Sequence, residues 1–238
     1  MKIKLFTYWE GKKSDYINLC EKIIQKNICK DIDLHLVTDA NLHEYITANE
    51  LPQNFKNIKC LAHRADYIRC CLVYKYGGIW LDSDQILVSD LSEVIELLKT
   101  YDYITYEWEK YQPSISFFAA NKNNILLERW KSEMEMLISQ KIEFNWTELG
   151  YDLLYPLLDQ LINLNLLKYY AFYATTSFAP LEWHQYENFL KTDENFNTEN
   201  IKSIHLFNAK LPEWFKNMNE KEILSGDYLV SKLFRENL

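Results

Sequence analysis

The sequence predicts an α/β fold with a mainly parallel sheet covered by helices on both faces. Three observations carry this prediction. Apolar strand patterns alternate with segments of helical periodicity along most of the chain. One helical pattern stops at Gly77-Gly78 and turns into a short apolar strand. Trp9, Asp39 and Asp82 each follow a predicted strand, and ligands of parallel sheets bind beyond the carboxyl ends of the strands.

The amino-terminal half is predicted to alternate strand and helix from its first residues. Ser14 is the predicted N-cap of the first helix, because apolar residues recur behind it every three or four positions. Pro52 lies in a stretch without periodicity, which predicts a loop over residues 51–60. The strands of this half are expected at residues 3–9, 34–38 and 78–81, and the helices after Ser14 and at residues 39–48, 62–76 and 92–98.

The carboxyl-terminal half continues the alternation with longer helices. No linker rich in proline, glycine or serine divides the 238 residues, so a single domain over residues 1–238 is expected, with a mainly helical elaboration around residues 124–166. The strands of this half are predicted at residues 103–107, 115–120, 168–173 and 203–207, and the helices at residues 124–139, 151–166 and 227–235.

Composition excludes several classes of partner. A formal charge of −8 and a pI near 5.2 argue against nucleic acid or an anionic membrane surface as the main partner. No apolar run approaches the roughly 20 residues that span a bilayer, so no transmembrane segment is expected. The chain opens into a strand rather than a signal peptide, which predicts a cytoplasmic protein, either free or peripheral at the inner membrane face.

Asp82 and Asp84 are the first candidates for chemistry. Side chains two apart on a strand share a face, so the two carboxylates are expected to project the same way. Two unit charges about 4 Å apart repel by roughly 4 kcal/mol at an effective dielectric constant of 20, so such a pair usually needs a hard divalent cation or basic partners. Asp66 and Arg69, three residues apart, share one face of the preceding predicted helix.

The order of these features resembles the sugar-nucleotide site of GT-A glycosyltransferases. It consists of the helix containing Asp66-Tyr67-Ile68-Arg69, the Gly-Gly stop, the apolar strand and the Asp-x-Asp motif. It is similar in particular to the glycosyltransferase family 32 and capsular polysaccharide synthesis group. The resemblance implies a GT-A fold, Mn²⁺ or Mg²⁺ as cofactor and a UDP- or GDP-sugar donor. It also implies a glycan or lipid-linked acceptor in surface polysaccharide synthesis, with retention of anomeric configuration.

The resemblance also implies roles for the motif residues. Asp66 and Arg69 would contact the donor sugar and phosphate, although an intrahelical ion pair is the alternative. Asp82 would reach the ribose or the sugar, and Asp84 would bind the metal. Trp9 would stack on the nucleotide base, with packing in the core or a lid as the alternative.

The carboxyl-terminal segment from Ser203 to Trp214 resembles the His…Trp element of the same enzymes. His205 would then be a metal ligand, and Lys210 and Trp214 would contact the donor. A buried core histidine is the alternative for His205. The spacing departs from the family pattern at Asn208 and at Pro212-Glu213.

Retention raises the question of a carboxylate nucleophile. Glu148 and Asp152 are the candidates in this sequence, and a substrate-assisted route would need neither. Two rival functions remain open. A haloacid-dehalogenase-type phosphohydrolase would also use Asp-x-Asp, but Ile86 stands where that motif wants Thr or Val. A non-enzymatic, metal-dependent sugar-binding module would keep the aspartates and the aromatic residues.

Overall fold

The computed structural model describes residues 2–108, 112–192 and 197–238. The chain divides into two compact units. The first unit contains Met1–Gly11, Asp31–Leu81 and Ser92–Ala171, and the second contains Lys12–Lys30, Asp82–Leu91 and Phe172–Leu238. Each unit is therefore built from three separate segments of the sequence.

Strands and helices alternate through most of the chain. The strands are β1 (Ile3–Trp9), β2 (Ile32–Thr38), β3 (Gly78–Leu81), β4 (Gln85–Leu87), β5 (Tyr103–Glu107), β6 (Pro113–Ala120), β7 (Tyr169–Tyr173) and β8 (Ser203–His205). The helices are α1 (Asp15–Asn27), α2 (Leu61–Tyr76), α3 (Ser92–Leu97), α4 (Ile125–Gln140), α5 (Tyr151–Asn163), α6 (Ala174–Ser177), α7 (Glu213–Lys216), α8 (Glu220–Ser225) and α9 (Leu229–Asn237). Short 3₁₀ helices cover Leu42–Glu44, Ala48–Glu50, Phe55–Asn57 and Trp183–Leu190.

The first unit is organised around a six-stranded sheet of order β2-β1-β3-β6-β5-β7. Strand β1 runs parallel to both β2 and β3. Strand β6 runs antiparallel to β3 and to β5, which makes the sheet mixed. The predicted α/β class is confirmed, and the parallel strands lie in the β2-β1-β3 half.

Gly77 and Gly78 form the sharp transition from α2 to β3. Both have positive φ, +69° and +116°, a conformation that L side chains rarely adopt. A Cβ atom on Gly78 would lie 2.2 Å from the carbonyl oxygen of Lys4, because β3 runs close beside β1. The Gly-Gly pair thus lets the chain leave the helix and enter the sheet within two residues.

The core of the first unit lies between the sheet and three helices. Helix α2 packs against β1, β3 and β6, and also against α4, which in turn packs against α5. Tyr67, Ile68, Leu72 and Trp130 are fully buried in this core. Helices α4 and α5 lie within residues 124–166, and the assignment of this region as an elaboration of a single domain stays a prediction.

The second unit has a small sheet of its own. Strands β4 and β8 pair antiparallel, with Gln85 opposite His205. Helix α1 packs against β4, α8 and α9. The apolar face of α1 predicted behind Ser14, including Ile17 and Cys20, is fully buried, and α1 begins directly after Ser14.

Two local predictions differ from the structure. The helix predicted over residues 39–48 is wrong, because only short 3₁₀ turns form there. The Asn41 side chain accepts the Thr38 N–H at 2.7 Å, and Thr47 starts a new turn through a capping box with Glu50. These side-chain bonds to the backbone compete with a continuous helix. The strand predicted to Phe207 ends at His205, since Phe207 has a φ of +55°.

Along the described chain, none of the helices combines the length and the apolar character that crossing a bilayer requires.

Candidate functional site

Asp82 and Asp84 lie on the turn that joins β3 to β4. The prediction that they share the face of one strand is wrong, because β3 ends at Leu81 and the chain turns before β4 begins at Gln85. The turn nevertheless brings the two carboxylates together. One ligand atom from each of Asp82, Asp84 and His205 lies within 4.8 Å of the other two.

The pairing of β4 with β8 brings His205 to Asp84. Because Gln85 is opposite His205 in the antiparallel register, the imidazole lies beside the preceding carboxylate. His205 Nε2 is 3.4 Å from Asp84 Oδ1. The Leu206 N–H donates to the Asp84 carbonyl at 3.0 Å, which adds a backbone hydrogen bond between the two segments beyond the end of β8.

Asp84 is held as a buried anion. Its side chain is only 9% exposed, and Oδ2 accepts the Asn208 N–H at 2.7 Å. Burial by itself would raise the pKa of this carboxyl. The charge and hydrogen bond of His205, together with the Asn208 N–H, lower the pKa below its ordinary value. The group is therefore ionised at neutral pH.

The three side chains fit a divalent cation. Carboxylate oxygen suits Mg²⁺ and Mn²⁺, and neutral imidazole is a common ligand of transition metals. Asp82 and His205 are partly exposed, whereas Asp84 is buried.

Tyr16 supports the cluster from α1, and the sequence did not indicate it. Its hydroxyl donates to Asn208 Oδ1, and the ring is fully buried. Burial, and then the charge of Asp84, raise the pKa of Tyr16, which therefore stays protonated as a donor. Asn208, noted in the sequence only as a departure from the family pattern, thus links Tyr16 to Asp84. A single tyrosine next to an apolar stripe carries no signal for such a role.

The segment after His205 turns sharply and carries Lys210 and Trp214. The centroid of the Phe207 ring lies 4.2 Å from the centroid of the His205 ring. The backbone carbonyl of Phe207 accepts the Lys210 N–H at 2.7 Å. The Lys210 ammonium lies 4.9 Å from the centroid of the Trp183 ring. Trp214 is 50% exposed on α7. Trp183 is a contact of Lys210 that sequence reasoning missed.

Asp66 and Arg69 form a buried ion pair in the first unit. Arg69 Nη2 is 3.3 Å from Asp66 Oδ1, and the side chains are 7% and 6% exposed. Arg69 Nη1 donates to the Ile115 carbonyl at 2.6 Å, and the guanidinium lies 5.2 Å from the centroid of the Trp80 ring. These contacts of Arg69 connect α2 to β3 and β6. Contact with a donor stays a prediction for both residues.

Trp9 ends β1 and is partly buried. The next residue, Glu10, forms an ion pair with Arg64 and accepts the Tyr8 hydroxyl at 2.9 Å. Arg64 Nη2 also donates to the Lys56 carbonyl at 2.9 Å. This network fixes the loop after β1, so Trp9 sits at an ordered carboxyl end of the sheet. Its stacking on a base stays a prediction.

Glu148 lies in the turn that precedes α5, and Asp152 lies in the first turn of α5. Both side chains form hydrogen bonds with nearby residues. Glu148 accepts hydrogen bonds from Lys141 and from the Asn145 N–H, and the Lys141 bond is the main reason why the pKa of Glu148 is lowered. Asp152 accepts the Thr147 hydroxyl at 2.9 Å. Both carboxylates therefore bond to nearby residues, and a nucleophilic role for either stays a prediction.

Comparison with known proteins identifies the family. Residues 2–236 match the model of a family described as capsular polysaccharide synthesis protein. The O-glycosyltransferase PaGT of Phomopsis amygdali is 36% identical over 76 residues, which are 29% of this chain and only 19% of that enzyme.

Among solved structures, the PaToxG glycosyltransferase superposes with a TM-score of 0.51 at 17% identity. The match covers 68% of this chain and 70% of that one, and at this identity it shows a shared fold. The sheet and its helices are arranged as in the GT-A fold, which is the fold that the resemblance of the sequence implied. Because the family model spans nearly the whole sequence, the chain belongs to the capsular polysaccharide synthesis protein family.

Proposed function

We propose that the chain is a metal-dependent glycosyltransferase. It transfers a sugar from a UDP- or GDP-sugar to a glycan or lipid-linked acceptor in surface polysaccharide synthesis, with retention of configuration. The cluster of Asp82, Asp84 and His205 is the observation that carries this proposal. Family membership and the two glycosyltransferase matches support it.

Asp84 and His205 would hold Mn²⁺ or Mg²⁺, with Asp82 at the more open side of the cluster. The bound cation would supply Lewis acidity that stabilises a diphosphate leaving group. His205 and the Asn208 N–H favour the ionised form of Asp84, and the bond from Tyr16 to Asn208 fixes that donor, so the ligand is in place before donor binds. A fixed carboxylate avoids part of the reorganisation cost of binding.

Further donor contacts are proposed for each unit by itself: Lys210 and Trp214 in the second, and Trp9, Asp66 and Arg69 in the first. Lys210 would add positive charge near the diphosphate, and Trp9 and Trp214 offer aromatic surface to the base or the sugar. For Asp66 and Arg69, the buried ion pair supports a role in orienting the carboxylate toward the donor.

Metal-coupled nucleotide binding is the direct test. Calorimetry with UDP and with GDP should show at least about tenfold tighter binding in Mn²⁺ than in EDTA, because a cation held by Asp82, Asp84 and His205 would attract the diphosphate. Release of free sugar from the matching nucleotide-sugar would then separate an enzyme from a sugar-binding module. Equal nucleotide affinity with and without Mn²⁺ contradicts the metal bridge.

His205→Ala tests the third ligand. We expect the Mn²⁺ affinity of the purified variant to fall by about tenfold or more, with donor hydrolysis falling in parallel. His184→Ala is the matched control, because His184 belongs to the same unit, is 54% exposed, and contacts Glu182 and the Trp183 ring rather than the aspartates. Mn²⁺ affinity and melting temperature are measured on the same preparation.

The opposite pattern would reassign His205. A core histidine would lose roughly 1–3 kcal/mol of stability on truncation, while the folded fraction would bind metal normally. Unchanged Mn²⁺ affinity in a destabilised variant would leave Asp82, Asp84 and phosphate oxygens as the proposed ligands.

A further inference from the structure

A basic cavity lies in the first unit, at the carboxyl end of α2. Its volume is about 220 Å³, about the volume that seven water molecules occupy in liquid water. The lining residues are Ile46, Glu50, Cys71, Tyr74, Lys75, Lys122, Asn123 and Lys131. Three of these eight are lysines, although the whole chain carries a net charge of −8.

The three lysines come from different elements. Lys75 belongs to the last turn of α2, Lys122 to the loop between β6 and α4, and Lys131 to α4. The loop is fixed beside the helix, because the Asn123 N–H donates to the Tyr74 carbonyl at 2.8 Å. The lysines therefore converge through tertiary structure and do not form a stripe along one exposed helix.

Glutamates compensate two of the three charges. Lys75 bonds to Glu50 and to the Tyr45 carbonyl, and these contacts use its available hydrogens. Lys131 donates one bond to Glu135 at 2.5 Å and keeps two hydrogens available.

Lys122 is exposed and has no ion pair or side-chain hydrogen bond among the residues that the structure describes. The cluster of Lys75, Lys122 and Lys131 with Glu50 and Glu135 has a net charge of +1, with open donors on Lys122 and Lys131.

We propose that this cavity binds a phosphoryl group through Lys122 and Lys131, with the side-chain amide of Asn123 as a further donor. A phosphate offers several acceptor oxygens to ammonium and amide donors. The cavity is separate from Asp66 and Arg69, because Lys75 lies about 9 Å beyond Arg69 along the helix axis. The proposal does not depend on the glycosyltransferase function.

Titration with inorganic phosphate tests the site. The full chain is titrated at constant ionic strength, and binding is followed by melting temperature and by ³¹P NMR line width. EDTA is present throughout, so that no divalent cation can bring phosphate to Asp84 and His205. The wild-type chain should show saturable stabilisation and line broadening.

Two variants and one control locate the binding. Lys122→Ala and Lys131→Gln should each weaken phosphate binding by about tenfold, because each removes one charged donor. Lys168→Ala is the control, since Lys168 is an exposed lysine of the same unit that does not line the cavity. Lys122→Ala should melt like the wild type without phosphate, because the side chain is exposed and unpaired within the described part of the chain.

Glucose 1-phosphate and glucose distinguish the source of the phosphoryl group. Tighter binding of glucose 1-phosphate than of phosphate assigns the cavity to a phosphorylated sugar, and equal or weaker binding assigns it to free phosphate. Binding of glucose alone, absence of saturable binding in the wild type, or equal phosphate affinity in Lys122→Ala and Lys168→Ala would each overturn the proposal.

Discussion

Asp84→Asn is expected to reduce sugar transfer and donor hydrolysis by roughly 10³-fold, because the variant loses the anionic oxygen that would hold the proposed cation. A metal ion contributes several kcal/mol to stabilising a leaving diphosphate, and each 1.36 kcal/mol corresponds to a factor of ten in rate. Mn²⁺ should no longer tighten UDP or GDP binding. The measurements are donor hydrolysis and calorimetric affinity with and without Mn²⁺.

The fold of Asp84→Asn should survive, since asparagine has nearly the same shape and its amide oxygen can still accept the Asn208 N–H. Asp227→Asn is the matched control, because Asp227 is an exposed aspartate of the second unit. A variant that melts like the wild type but is inactive supports the metal role. Activity within a few-fold of the wild type would show that Asp84 is a structural carboxylate.

Arg69→Ala is expected to have the largest effect on stability, lowering the free energy of unfolding by roughly 3–5 kcal/mol. The substitution removes the ion pair of Arg69 with the buried Asp66 carboxylate and the donor to the Ile115 carbonyl. It also removes the guanidinium from the Trp80 ring. Urea unfolding measures the loss, and donor hydrolysis is assayed where the variant is still folded.

Arg129→Ala is the control for Arg69, because Arg129 is only half-buried in the same unit and donates only to Gln160 among the contacts described. It should change stability by about 0.5 kcal/mol or less. The pair Asp66→Asn with Arg69→Met should recover part of the loss, since both charges of the ion pair are then removed together. A stability loss below about 1 kcal/mol in Arg69→Ala, with activity lost, would instead favour direct donor contact.

The sequence determined the fold class and most elements because their signals are local. The period of apolar residues fixed α2 to within one residue at its start, and the Gly77-Gly78 pair marked the helix-to-strand transition that only positive φ permits. The Asp-x-Asp motif likewise located one side of the candidate site. These signals lie within one or two turns of chain, where propensity and periodicity act.

Tertiary structure alone decided how the candidate site is assembled. β4 has only three residues, too few for a periodic signal, and it is defined by pairing with β8. That pairing brings His205 to Asp84, and the Asn208 N–H reaches the same carboxylate from 124 residues away. Tyr16 joins from α1, and Arg69 is buried against β3 and β6. Contacts between distant segments depend on register and packing, which no local pattern encodes, so the sequence could nominate these residues but could not show which of them meet.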